Sequence, residues 1–249
     1  METLLTVAGA VLGVLVPALL FLALRQGIER NPFEPAQKRR YQRLAFVSIA
    51  SWTALVWVAS LASWIAYHEG DVLPRFLLPL SVPVVAGVAL AAASETFRRI
   101  LDHTPVSTLV GMQTFRLAGG AFLLIVHLGI LPDAFASAGY GDLTTGLLAV
   151  TAAFALSRKR AAGGVFFWAF NASGLADLLN VAFLLLRFYP AYSDAVPSSA
   201  PAFEFSLVMI PALAAPIALL LHLSAIRNYL TSAAGARSRP GEWKAAPAA

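Results

Sequence analysis

Apolar residues in this chain run in long uninterrupted blocks joined by short polar connections, with neither the strict alternation of a half-buried strand nor the narrow stripe of a soluble amphipathic helix. Blocks of roughly 18 or more residues with few charges predict helices that cross a bilayer. Seven are predicted, over residues 4–24, 45–67, 76–93, 107–131, 134–157, 164–186 and 205–229. The expected fold is therefore an all-α integral membrane protein, a seven-transmembrane-helix bundle. Residues 1–230 form its membrane domain. Residues 231–249, rich in Ala, Arg, Pro and Gly without apolar periodicity, are expected to be a disordered cytoplasmic tail.

Composition points the same way. Of the 249 residues, 59% are hydrophobic and 12% charged, against about a quarter charged in an ordinary soluble domain. The chain begins Met1-Glu2-Thr3 without a basic n-region, and its first apolar run is longer than a signal-peptide core, so that block reads as a retained helix. The absence of cysteine excludes disulfides, thiolate metal sites and cysteine nucleophiles.

The net charge of +5 takes its meaning from where the bases lie. Arg25, Arg30, Lys38, Arg39, Arg40 and Arg43 fill the first connection, Arg98 and Arg99 the third, and Arg158, Lys159 and Arg160 the fifth; Arg227, Arg237, Arg239 and Lys244 mark the C-terminal end. The second and sixth connections carry only Arg75 and Arg187. Lys and Arg concentrate in cytoplasmic loops, so the expected N-terminus is outside and the C-terminus cytoplasmic. This distribution argues against a nucleic-acid partner. It indicates a multi-pass protein of a plasma (inner) membrane whose first partner is the lipid bilayer, and the Ala-rich composition suggests a bacterial source.

Ionisable groups inside the hydrocarbon region are costly and mark functional candidates. At about 100° per residue, Gln113, Arg116, Gly120 and His127 share one face of the fourth span. Asp142, Thr145, Gly146 and Ala149 share one side of the fifth, and Ser173, Asp177 and Asn180 lie together on the sixth, with Asn171 about 120° from Asp177. His222 falls on the seventh with Pro211, Ala215 and Ala218. The expected substrate or ion pathway is thus Gln113, Arg116, Asp142, Asn171, Asp177 and His222, with His127 at its outer end. Arg116 would anchor an anionic group or neutralise Asp177, and the two carboxylates would take up and release protons. The same groups also suit a structural role, because a charge pair or amide inside a bundle holds helices together. Gly9, Gly13 and Pro17 form a small-residue face suited to close packing.

Four histidines lie in two pairs at matched depths, His68 with His127 and His103 with His222, an arrangement that two b-type haems would use. The seven-helix, N-outside plan is similar to that of microbial rhodopsins, which hold retinal on a lysine of the last helix. Here Lys38, Lys159 and Lys244 all fall in connections or tail, so a retinal Schiff base is excluded. No G-x-S-x-G elbow, H-E-x-x-H pair or P-loop occurs. The Gly139-Tyr140-Gly141-Asp142 segment reads as a helix entry.

An odd count of alternating helices permits a three-one-three plan of parallel repeats, with Pro79 and Pro83 in the third span matched by Pro211 and Pro216 in the seventh. In topology alone this resembles the sugar transporters of the SWEET type. Their proline-glutamine loop motif is missing, so the resemblance transfers no residues. Residues 189–202 form an external connection long enough to act as a lid.

The leading expectation is a small-solute or ion transporter or permease, not an enzyme, with no catalytic residue, no metal site and no required cofactor. Beside it stand a structural or sensory subunit docked on a membrane-protein partner or a second copy, and a haem-bearing or hydrolytic intramembrane protein.

Overall fold

The computed structural model describes residues 2–237, and every regular element among them is helical. Helix α1 spans Glu2–Arg30 and α2 Pro35–Leu61. A capping box between Glu34 and Gln37, with Pro35 in the first turn, starts α2 five residues after α1 ends. The bases expected in a first loop therefore sit on helical turns, Arg25 and Arg30 on α1 and Lys38 to Arg43 on α2. Helix α2 stops at Leu61, so residues 62–67, expected to be helical, form turns with Ser63 at φ 59°.

Helix α3, Leu77–Ala93, is followed by α4, Glu95–Asp102, at a bend of 100°. The Ser94 side chain accepts from Phe97 N–H and caps α4. Arg98 turns back to donate to the Ala91 and Ala92 carbonyls at the end of α3. What the apolar pattern marks as a basic connection is thus a short helix that buries Ile100 and Leu101.

The fourth expected span is three pieces: α5, Val106–Gly111, a 3-10 segment, Met112–Ala118, and α6, Gly119–His127. Helices α7, Ala136–Ser157, and α8, Gly163–Arg187, follow. A π-helical turn at Ile210–Ala214, containing Pro211, leads into α9, Ala215–Arg237. The expected disordered tail is thus helical as far as Arg237, and its remainder, residues 238–249, lies outside the described residues.

Among the described residues, five helices are long and apolar enough to cross a membrane: Gly9–Arg30, Pro35–Leu61, Val106–His127, Gly163–Arg187 and Ile210–Ser232; the bent pair α3–α4 makes up to six. Helix α7 has 22 residues, but Ser137, Tyr140, Asp142, Thr144 and Thr145 interrupt its apolar run. It is nevertheless central, packing most extensively on α8 and also on the 3-10 segment, α5 and α6. Gly139-Tyr140-Gly141-Asp142 lies within this helix.

Two apolar clusters fill the bundle. One gathers Phe76, Phe135, Leu184, Tyr189, Phe203 and Met209, the other Val16, Val110, Ala149, Phe167, Phe170 and Leu221. Arg116 lies in sequence between Val110 and Ile125, Asp142 between Ala138 and Ala149, and Asp177 between Phe170 and Leu184. On each of these three elements the charged residue therefore falls in the layer between the two clusters.

One end of the bundle collects the bases. Asn31 donates to the Arg99 carbonyl and meets His103 Nδ1, both at 3.1 Å. Asn228 on α9 donates to the carbonyls of Leu101 and Thr104, and Arg227 pairs with Asp102. Tyr229 stacks on Phe167 near the α7–α8 turn that carries Arg158, Lys159 and Arg160. At the other end the expected connection 189–202 is partly folded onto the bundle. Tyr189 is buried and packs edge-on against Tyr67 and Phe203, while Ser199 donates to the Phe188 carbonyl and Tyr192 to that of Val72.

Candidate functional site

Arg116 is 2% exposed and sits at the crossing of four elements. Its Nε–H donates to Asp142 Oδ1 on α7 at 2.6 Å, and one Nη2 proton goes to Asp177 Oδ2 on α8. Nη1 faces the Gly174 carbonyl at 3.4 Å and His222 Nε2 on α9 at 3.3 Å. Four of the five N–H groups of the guanidinium are thus directed at protein acceptors.

The chain of bonds continues from His222. Because Nε2 faces an arginine N–H, it carries the lone pair, and the proton belongs on Nδ1. Nδ1 donates to Asn171 Oδ1 at 2.9 Å, and Asn171 Nδ2 donates to the Phe167 carbonyl at 2.8 Å. The partners therefore set both the imidazole tautomer and the amide orientation. The His222 ring also stacks on Phe170, with centroids 4.6 Å apart. Gln113, one 3-10 turn before Arg116, donates to the Ala218 carbonyl on α9 at 3.4 Å. Thr145 and Ser173 bond each other across α7 and α8 at 3.1 Å.

The local backbone makes this convergence possible. In a 3-10 helix, residues three apart eclipse, which puts Gln113 and Arg116 on one line. Each 3-10 residue advances by about 120° rather than about 100°, so seven of them carry the following α6 out of the expected register. Gly120 consequently faces open space, and His127 is exposed at the end of α6, outside the cluster. On α8, Asn171 and Asp177 point to different sides as expected, but α8 has α9 on one side and α7 on the other, so both reach the same centre.

Two glycines not among the expected site residues admit these groups. A Cβ on Gly141 would lie 1.8 Å from Asp177 Oδ1, and one on Gly174 would lie 2.2 Å from His222 Nε2. The available signal was a glycine beside or one turn from an ionisable residue in an apolar helix, where small residues mark close approach.

With both carboxylates ionised and His222 neutral, the centre carries one positive and two negative charges. Asp177 is buried, and no donor among the described residues reaches its Oδ1; the same holds for Gln113 Oε1. The Asp142 side chain is 27% exposed. It lines two small cavities: one of about 50 Å³ bounded also by Arg116, Asp177 and Phe122, and one of about 40 Å³ extending to Phe135, Ala202 and Leu207. A water molecule needs roughly 10 to 15 Å³ by the same measure, so each holds a few.

His222 has both ring nitrogens engaged within the cluster, His103 bonds Asn31 and the Arg99 carbonyl, and His68 bonds the Ser63 carbonyl. Among the described residues no three His, Cys, Asp or Glu side chains gather as a metal site.

Fold and site together define an all-helical protein with several membrane-compatible helices built around a buried arginine–dicarboxylate centre. Residues 73–230 match the family model described as Domain of unknown function (DUF8737), and the chain belongs to that family. All six cluster residues fall within the matched segment, whereas α1 and α2 precede it. No curated protein and no solved structure matches the chain.

Proposed function

We propose that the protein is a small-solute or ion permease of a plasma membrane, with Arg116, Asp142 and Asp177 at the centre of its pathway. The observation that carries this reading is one guanidinium held between two carboxylates beside water-sized cavities, inside an otherwise apolar bundle. A single ion pair suffices to tie two helices. A second carboxylate adds an uncompensated charge whose desolvation costs several kcal/mol, and the cavities place it where a moving species can meet it.

In this reading seven segments span the bilayer: α1, α2, α3 with α4 folded along the surface, the α5–α6 unit, α7, α8 and the π turn with α9. Helix α7 counts among them because its polar residues Asp142 and Thr145 face partners inside the bundle while its other neighbours are apolar helices. The end bearing Asn31, Arg99, Arg158 and Arg227 is cytoplasmic by the distribution of bases, which leaves the N-terminus outside. The 3-10 segment and the π turn both line the first cavity, and such non-α stretches mark hinges. Their exchange with regular helix would shift Arg116 and open the centre to alternate sides.

A thermal-shift screen of the purified protein against small anionic, cationic and neutral solutes tests the reading. A true ligand at about 100 times its Kd stabilises by about 2.7 kcal/mol through mass action. That response is expected to vanish in Asp142→Asn. Absence of any response, together with no solute or proton flux above that of empty proteoliposomes, would overturn it.

A second reading, a subunit docked in a larger assembly, is favoured by α2. This helix packs mainly on α1 and touches the π turn, leaving Leu44, Phe46, Val47, Leu55 and Val58 exposed. A stoichiometric membrane partner retained through mild-detergent purification would support it.

A further inference from the structure

We propose that the Arg116–Asp142–Asp177 centre holds a single exchangeable proton, stored on Asp177 and traded with water through Asp142. The storage step stands on the geometry alone; the corollary that the permease moves or is driven by protons, not metal cations, rests on the permease reading above.

The charge count comes first. Arg116 neutralises one carboxylate, so one negative charge is left over in the layer between the two apolar clusters. Elements packed on the centre contribute Arg116 from the 3-10 segment, Asp142 from α7, Asp177 from α8 and His222 from α9; α1 and α6 bring only Leu12, Gly119 and Phe122. Among the described residues no second cation faces the pair. His222 cannot supply one, because a proton on Nε2 would point at the guanidinium that now donates to it.

Hydrogen bonding locates the proton. Asp177 Oδ2 accepts from Arg116, while Oδ1 rests against Gly141 on α7 with no donor among the described residues in reach. At mid-helix the N–H groups are engaged in the helix itself, and what α7 still offers is the second lone pair of its carbonyls. An ionised Oδ1 is a buried acceptor that no donor among the described residues satisfies. A protonated Oδ1 needs no donor, and the excess charge disappears. Asp142 differs: one oxygen is held by Arg116, but its side chain is 27% exposed and lines both cavities. It is the port at which a hydronium ion gives up one proton, leaving water. One O–H bond forms on Asp142 and the net charge of the centre rises from minus one to zero. Transfer to Asp177 then returns Asp142 to its ionised form.

A metal cation fits the same excess charge poorly. Ca²⁺ takes about six to eight oxygens, whereas here one oxygen of each carboxylate is already committed to the guanidinium that stands between them. A proton needs only one lone pair.

Infrared spectroscopy of the full chain in lipid vesicles at neutral pH tests this without assuming transport. The wild type is expected to show one protonated-carboxyl C=O band that shifts in D2O. Asp177→Asn should abolish it. Asp142→Asn should abolish it too, although it leaves Asp177 in place, because Arg116 then balances Asp177 alone. A wild type without the band, or a band surviving in Asp142→Asn, overturns the proposal. Should the variants not fold, alkaline titration of the wild type decides: release of one proton per chain as the band vanishes supports it, and no release overturns it. A pH-sensitive dye in the same vesicles separates the two readings. Band without proton or solute flux keeps the proton store and discards the permease; solute flux without the band does the reverse.

Discussion

Gly141 on α7 stands with its Cα against Asp177 Oδ1 on α8, so close that a Cβ would come within 1.8 Å of that oxygen and 2.4 Å of the carboxyl carbon. No small shift relieves such a clash. Either α8 moves away or Asp177 swings off Arg116. Gly141→Ala is expected to lower the midpoint of thermal unfolding about as much as Asp177→Ala, and the double variant should be no worse than Asp177→Ala alone, since the clash and the lost bond share one side chain. Additive losses in detergent would show that the two residues act independently.

Removing Arg116 leaves Asp142 and the buried Asp177 without their guanidinium. Breaking a buried pair costs about 3 to 5 kcal/mol, so Arg116→Ala should sharply reduce folded yield on size-exclusion chromatography. Because Arg116 bridges both acids, Asp177→Asn alone should restore part of that yield, and Asp142→Asn with Asp177→Asn more. A well-folded Arg116→Ala protein would remove the structural contribution of this centre.

The His222–Asn171 bond is a helix-to-helix amide contact inside the bundle. A double-mutant cycle with His222→Phe and Asn171→Leu is expected to give a coupling of about 0.6 kcal/mol and no more than about 1.7. Phenylalanine preserves the stack on Phe170, so the cycle isolates the polar term. Zero coupling would mean that the tautomer of His222 is set by Arg116 alone.

Two neighbours on α9 should behave oppositely. Arg227 pairs with Asp102 where both side chains are substantially exposed, and such pairs contribute about 0 to 1 kcal/mol. Asn228 is buried and donates to the Leu101 and Thr104 carbonyls at the end of α4; the Leu101 carbonyl keeps the Thr104 N–H, so losing Asn228 costs about 1 to 3 kcal/mol chiefly at the Thr104 carbonyl. Asn228→Leu is therefore expected to lower thermal stability clearly and Arg227→Ala hardly at all. Equal shifts would refute the tether.

Tyr189, outside the membrane-compatible helices, is 1% exposed and its hydroxyl meets no partner among the described residues. Burial, aided by the nearby Asp71, pushes its phenol up to about 12 from an ordinary 10.0. The folded protein thus holds this proton more tightly than the unfolded chain does. The stability it brings is complete below pH 10 and is lost as pH rises toward 12. Tyr189→Phe should flatten the alkaline fall of the unfolding midpoint; an unchanged profile would assign that fall to other groups.

The helical class and the regions of the principal apolar helices follow from apolar block length alone, since a chain with 59% hydrophobic residues offers no other way to bury them. The six polar candidates were legible for the same reason: an ionisable residue in such a block has no solvent to face, so Arg116, Asp142 and Asp177 had to meet inside. Periodicity could not show that the fourth span breaks into a 3-10 segment, because that depends on how closely α7 lets the backbone approach. A Cβ on Gly146 would stand 2.7 Å from the Leu117 backbone nitrogen, a contact between residues far apart in sequence. For the same reason His127 was misplaced, and Arg116 was matched with one carboxylate where tertiary packing supplies two. Apolar patterning is a property of each segment. Charge balance in a buried centre belongs to the set of helices that enclose it, and only their packing decided that one guanidinium would answer to two acids.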